Sequence, residues 1–205
     1  YCDERLSKSH KSEGAHSEAL AYARKCLEKR ETIVAQSPND GLARRELAIA
    51  QLLVADMLLA TDLVAEARSL FETSRKALGE LATPGIFTSQ QKLDDGALLS
   101  RLGQVAHELG YVTIEMQYLA QAQAAYETVA KSDQSNRAAM QGQAVVFGQL
   151  ADSTRAQGLA SQARLHAMNQ LKLRMKLSSE APDDRDELAR LGFAQYQVAE
   201  ILRLQ

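Results

Sequence analysis

The chain has 205 residues and a mass of 22.5 kDa, which suits one or two globular domains or one repeat array. Its formal net charge of −2 and pI near 6.1 exclude a general nucleic-acid binder, which needs a basic surface to displace counterions. With 45% hydrophobic residues and only 3 Pro it can bury a core, but with 5% aromatics and no Trp the packing must rest on small apolar side chains. Two cysteines are too few for a disulfide scaffold or a zinc ribbon. The apolar runs are short, as at Leu52-Leu53-Val54-Ala55, and no charged-then-apolar signal segment opens the chain. No membrane span and a cytoplasmic setting are therefore expected.

Ala, Leu, Gln, Glu, Arg and Lys dominate long stretches and strand-type alternation is missing, so the predicted elements are helices throughout. In chain order they are separated at Gly14, Ser37-Pro38-Asn39-Asp40, Asp62, Thr83-Pro84-Gly85, Gly110, Asn136, Gly158 and Ala181-Pro182-Asp183-Asp184. These breaks have a period. Gly14, Asp62, Gly110 and Gly158 stand 48 residues apart, as do Asp40, Thr88, Asn136 and Asp184, all four of them good helix N-caps. Thr88 with Gln91, and Asp184 with Glu187, read as capping boxes.

Side-chain type follows the same period. Leu6, Val54, Leu102, Leu150 and Val198 form an apolar column, followed one residue on by the small column Ser7, Ala55, Gly103, Ala151 and Ala199. Cys2, Ala50, Leu98, Val146 and Ala194 form another. In the following helix Ala19, Ala67 and Ala163 recur, with Glu115 as the exception. Small residues let helices approach closely, and apolar columns at helical spacing form one buried stripe. A plain helical bundle would not require such a column.

Each unit is thus a helix A, a Gly or Asp turn, a helix B and a capped turn into the next unit. These residues resemble the tetratricopeptide repeat. The pairs Leu6-Ser7, Val54-Ala55, Leu102-Gly103, Leu150-Ala151 and Val198-Ala199 stand where that family has its Leu-Gly-type dipeptide. Gly14 with Ala19, Asp62 with Ala67, and Gly158 with Ala163 match its turn glycine and helix-B alanine. The family unit is about 34 residues; this one is longer by a heptad on each helix. The phrase Leu27-Glu28-Lys29-Arg30-Glu31 before Ser37-Pro38-Asn39-Asp40 resembles the long-unit arrays of bacterial multidomain signalling and defence proteins. The resemblance implies an all-α, right-handed α-solenoid of antiparallel helix pairs with about nine helices. Its approximate units are 1–39, 40–87, 88–135, 136–183 and a partial 184–205. Counting the period, both ends read as cuts through a longer protein. Cys2 and Cys26 fall at one level of a helical hairpin and are expected as two reduced thiols.

Candidate chemistry is sparse. His107-Glu108 begins like a zinc-protease helix motif, but Tyr111 stands where the second His belongs. Asp183-Asp184 fits a helix cap, and Asp94-Asp95 a solvated face. Segment Ser153–Ser179 carries Arg155, Arg164, Lys172, Arg174 and Lys176 without an acid; it could contact an acidic partner or a phosphate backbone, but no aromatic residues interleave the charges for nucleic-acid stacking, and it reads first as the solvated outer face of a helix B. No catalytic group, metal or cofactor is expected.

In tetratricopeptide arrays the A helices line the concave face where partners bind. Carried over column by column, that face should present Asp56, Gln104, Asp152 and Glu200; then Leu59, His107, Arg155 and Arg203; then Leu52, Ser100, Gly148 and Tyr196. The carboxylate-clamp columns of the family hold Glu4, Lys8, Leu53, Ala97 and Arg101, of which only Arg101 fits. The expected partner is a protein or peptide lying along Leu52, Asp56, Gln104, His107, Asp152, Arg155, Tyr196 and Arg203, with neither nucleic acid nor membrane involved. Two readings follow, a non-catalytic interaction scaffold and a peptide or small-ligand sensor. A compact pocket ringed by His107, Asp152 and Arg155 would favour the sensor.

Overall fold

The computed structural model describes residues 16–81 and 88–203. They form eight α-helices, and no strand occurs among the described residues: α1 (His16–Gln36), α2 (Gly41–Leu59), α3 (Val64–Leu81), α4 (Ser89–Glu108), α5 (Val112–Ser132), α6 (Arg137–Ala156), α7 (Ala160–Glu180) and α8 (Arg185–Arg203). The even-numbered helices are the A helices and the odd-numbered ones the B helices. Both sets start at 48-residue intervals. Each helix packs on those before and after it, and the A helices also touch one another, α2 on α4 and α4 on α6. The arrangement is an α-solenoid of antiparallel helix pairs. The helix expected before Gly14, with Cys2, Leu6 and Ser7, lies outside the described residues, so the Cys2–Cys26 relationship is not addressed; Cys26 itself is buried.

The period is written into the turns. Asp62, Gly110 and Gly158 adopt φ of 61°, 72° and 73°, the left-handed conformation that ends a helix. Around each, the same two backbone bonds recur. Leu63 N, Tyr111 N and Leu159 N donate to Leu58 O, Ala106 O and Thr154 O, while the left-handed residues donate to Leu59 O, His107 O and Arg155 O. The chain reverses and starts helix B within a few residues. The A helices start at side-chain caps. Asp40 Oδ1 accepts from Leu42 N and Ala43 N, Asn136 Oδ1 from Ala139 N at 3.0 Å, and Asp184 Oδ1 from Glu187 N at 3.1 Å. Thr88 and Gln91 close both halves of a capping box. Asp184 and Glu187 do not, a departure from the sequence reading. The Asp184 N–H donates instead to Ala181 O, and the Glu187 side chain is drawn to Arg174.

Packing follows the columns. Ala55, Gly103 and Ala151 are buried in the seam between A and B; Ala19 and Ala67 share a core cluster with Ala55, Ala163 packs with Ala151, and Leu119 lies against Gly103. Ala199 is exposed, because no described helix covers that side of α8. The columns headed by Val54 and Ala50 are buried through Leu150 and Ala194. Glu115, the exception in the alanine column, is buried all the same, with Oε1 at 3.1 Å from His107 Nδ1.

Two substitutions separate turn geometry from packing. A methyl at Gly158 meets nothing within 4 Å. Gly158→Ala should nevertheless lower stability by roughly 1–2 kcal/mol through its left-handed backbone, whereas Asp62→Gly should not lower it. Ala151→Leu should overpack the seam and cost about 1–3 kcal/mol. Urea unfolding followed by circular dichroism measures all three.

Candidate functional site

The A helices bury one side against their B neighbours. On α4, Leu98, Leu99, Leu102, Val105 and Ala106 are buried, so Ala97, Arg101, Gln104 and Glu108 lie on the opposite, inner face. Side-chain bonds tie successive A helices along it. Arg45 of α2 donates to both carboxylate oxygens of Asp94 on α4, Nε at 2.9 Å and Nη2 at 3.0 Å. Arg101 of α4 meets Asp56 of α2 at 2.8 Å. Gln149 of α6 accepts from Ser100 Oγ at 2.8 Å and donates to Ser100 O at 3.2 Å. Gln197 of α8 donates to Gly148 O at 3.2 Å. Arg101, Gln149 and Gln197 occupy one column, and each reaches back to the preceding A helix. Arg101, the one residue suited to a carboxylate clamp, is therefore already held by an acid of the array.

These ties correct two expectations. Asp94-Asp95 is not a solvated pair: Asp94 is bound to Arg45, and Asp95 accepts from Arg75 Nε at 3.0 Å, so both acids join neighbouring units. Arg174 does not belong to a solvated basic face. It is buried, with Nη1 at 2.9 Å from Oε1 of Glu187, which is 0% exposed. Arg190 and Gln141 also donate to Glu187, at 3.3 and 3.4 Å, so this acid fixes the meeting point of α6, α7 and α8. Two guanidinium groups share one carboxylate there.

Between α4 and α6 lies an open cleft of about 470 Å³. The Tyr126 ring, reaching through from α5, lines it and is 5% exposed. The ring fits because positions 96 and 142 are glycine. A methyl on Gly96 would sit 2.9 Å from Tyr126 Cζ, and one on Gly142 would overlap the ring. Asp94, Arg101, Gln141 and Val145 also line the cleft, with Arg174 and Arg190 contributed by α7 and α8. Burial pushes the Tyr126 phenol up to about 12; Arg101 opposes the rise, and Asp94 and Asp95 add to it. The hydroxyl is therefore protonated at neutral pH.

The row expected from sequence is divided by the structure. On α6 and α8, Asp152 faces Arg155 at 3.7 Å and Glu200 faces Arg203 at 3.3 Å, with Tyr196 61% exposed beside them. On α2 and α4 the residues of the row are tied to the array, although His107 stays exposed. Leu52 packs against the core, Asp56 is held by Arg101, Gln104 is half-buried, and His107 is bonded to Glu115. None of the eight residues lines the Tyr126 cleft, and His107, Asp152 and Arg155 do not ring a pocket there. The sequence reading missed Tyr126, Val145 and Phe193. A signal was present: Ile49, Ala97, Val145 and Phe193 form one apolar column on the inner face, and Gly142 interrupts the charged column of Glu46, Asp94 and Arg190. Phe193 is 56% exposed. Among the described residues no three His, Cys, Asp or Glu side chains converge on a metal-binding position, and no helix is long and apolar enough to cross a membrane.

The Tyr126 phenol keeps its proton to higher pH in the folded chain than in the unfolded one. Stability from this group is complete below pH 10.0 and is lost as pH rises toward about 12. At 1.36 kcal/mol per unit the loss is on the order of 2–3 kcal/mol. Absorbance titration should show one tyrosine ionising late, and Tyr126→Phe should remove that component and flatten the alkaline decline in stability.

Neither a protein-family model nor a curated relative matches the sequence. Among solved structures, the chain is similar to the yeast histone chaperone Hif1, described as a scaffold protein recruiting protein complexes to core histones. The TM-score is 0.56 at 15% identity, covering 98% of this chain and 93% of that one. It also aligns with YrrB, described as a TPR protein with an unusual peptide-binding site, at TM-score 0.41 and 16% identity, covering 98% and 81% of the two chains. A de novo designed helical repeat protein aligns at TM-score 0.35 and 15% identity, covering 98% and 90%. The first of these likenesses establishes a shared helical-repeat fold.

Proposed function

We propose that this chain is a non-catalytic protein-interaction scaffold that holds an extended protein segment along the inner face of its A helices. The observation that carries this reading is the apolar surface left open there. Val145 and Phe193 are exposed on the inner side of α6 and α8, Val145 in the cleft lined by Tyr126, and Tyr196 is exposed on the neighbouring side of α8, where the equivalent Ser100 and Gly148 meet the following A helix. Aromatic side chains supply large contact area at low entropic cost and are enriched where partners bind. Asp152, Arg155 and Arg203 border them and supply polar contacts. These ion pairs are exposed and locally matched, so they set orientation more than affinity.

The same face supports the scaffold over the small-ligand sensor. The cleft is open rather than enclosed, and a superhelix with side-chain ties between A helices suits a long ligand spanning several units. The long-unit period further suggests a recruiting arm of a signalling protein, placed in the cytoplasm, and Hif1, itself described as a scaffold, is a precedent on a similar fold.

A random peptide display library selected on the full chain tests the reading. Selected peptides should lose affinity by about tenfold or more on Phe193→Ala or Tyr196→Ala, and respond to Arg155→Ala, in fluorescence titrations. Arg164→Ala on the outer side should leave binding unchanged. Binding lost only with the outer-face change would overturn the inner-face assignment.

A further inference from the structure

The outer face of α7 differs from that of every other described B helix. Leu165, Met168 and Met175 are 59%, 53% and 56% exposed. With Lys172 they are spaced three, four and three residues apart, which places them on one face of the helix over roughly 15 Å. Arg164 and Lys176 flank the stripe, and both are exposed. No acid lies in the sequence from Ser153 to Ser179. Glu180, the next acid along, pairs with Arg137 at 3.8 Å.

The repeat supplies its own controls. One period back, α5 carries Gln117, Ala120, Ala124 and Glu127 at these positions. Two periods back, α3 carries Ser69, Glu72, Lys76 and Gly79, and three periods back α1 carries Ala21, Arg24, Glu28 and Glu31. None of these is a large apolar residue. On α3 and α5 the acids are matched locally, Glu72 by Arg68 at 2.9 Å and Glu127 by Lys131 at 3.8 Å. Helices α3 and α5 have helix pairs on both sides, yet Glu72, Lys76, Gln117, Ala120 and Ala124 are exposed. At the positions of Leu165, Met168 and Lys172 the exposure is therefore a property of the column, not of its place in the array. The fold does not call for apolar residues here, and the fourth unit has three of them between cations.

We propose that the outer face of α7 is a second docking surface, which takes an acidic amphipathic helix of a partner protein. Its apolar side would lie on Leu165, Met168 and Met175, with its carboxylates meeting Arg164, Lys172 and Lys176. Methionine side chains adapt to varied apolar partners, and the basic flank selects for acids. This surface is on the opposite side of the array from Phe193 and Tyr196, so the two sites are independent and the chain can hold two partners at once.

The probe is a helix-stabilised synthetic peptide of comparable length with leucines on one face and glutamates on the other, titrated against the full chain. It should bind with an affinity that falls as salt rises. Met168→Glu and Lys172→Glu should each weaken it by about tenfold or more, with the helical circular dichroism spectrum unchanged, and Phe193→Ala should have no effect. A peptide with lysines in place of the glutamates should not bind. The proposal is overturned if the acidic peptide fails to bind, or if the α7 variants leave its binding unchanged. It is also overturned if vesicles of phosphatidylcholine and phosphatidylserine bind the chain while the acidic peptide does not, or if the stripe drives concentration-dependent self-association that Met168→Glu abolishes. Inner-face peptide binding that fails while this peptide binds would leave this surface standing alone.

Discussion

The array depends on how closely one helix can approach the next. Ala55 packs in one cluster with Ala19 and Ala67, and Ala151 with Ala163, while Gly103 makes room for Leu119. Tyr126 can pass between α4 and α6 only because Gly96 and Gly142 have no side chains. Gln170 of α7 lies against Gly148 of α6 in the same unit, where a methyl would stand 2.7 Å from its Nε2. Close approach gives each apolar side chain many weak contacts, and it also leaves little tolerance for added volume. The left-handed turns enforce this geometry. They reverse the chain in the same way after α2, α4 and α6, so each B helix returns at the same height on its partner.

Within that frame, polar side chains settle how units follow one another. The bonds from Arg101, Gln149 and Gln197 to the preceding A helix, and those from Asp94 and Asp95 to Arg45 and Arg75, are directional, and apolar packing is not. Burying Glu187 between Arg174, Arg190 and Gln141 continues this role at the last described junction. A carboxylate so far from water needs its partners, and removing one would leave a charge uncompensated. Residues that look like ligand-binding chemistry in a linear sequence are in this way consumed by the joints of the solenoid. The inner and outer surfaces that remain are those on which no joint draws: Val145 and Phe193 on one side, and the Leu165–Met175 stripe on the other.

The sequence by itself determined the helical class, the period, the turn residues and the caps. Each of these rests on local chemistry. A left-handed glycine, an Asp or Asn accepting backbone N–H groups, and a small residue in a seam can all be read from a few neighbouring letters repeated at a fixed interval. Helical spacing alone also assigns a shared face to Asp152 with Arg155 and to Glu200 with Arg203, and these pairs do form. Only the tertiary structure decided which polar residues were already engaged. Asp56 with Arg101, His107 with Glu115, and Arg174 with Glu187 join different helices, and a period that aligns equivalent positions says nothing about contacts between non-equivalent ones. The Tyr126 cleft was hidden likewise, because it needs two glycines on separate helices to converge on one ring, and that convergence is a fact of packing, not of any single segment.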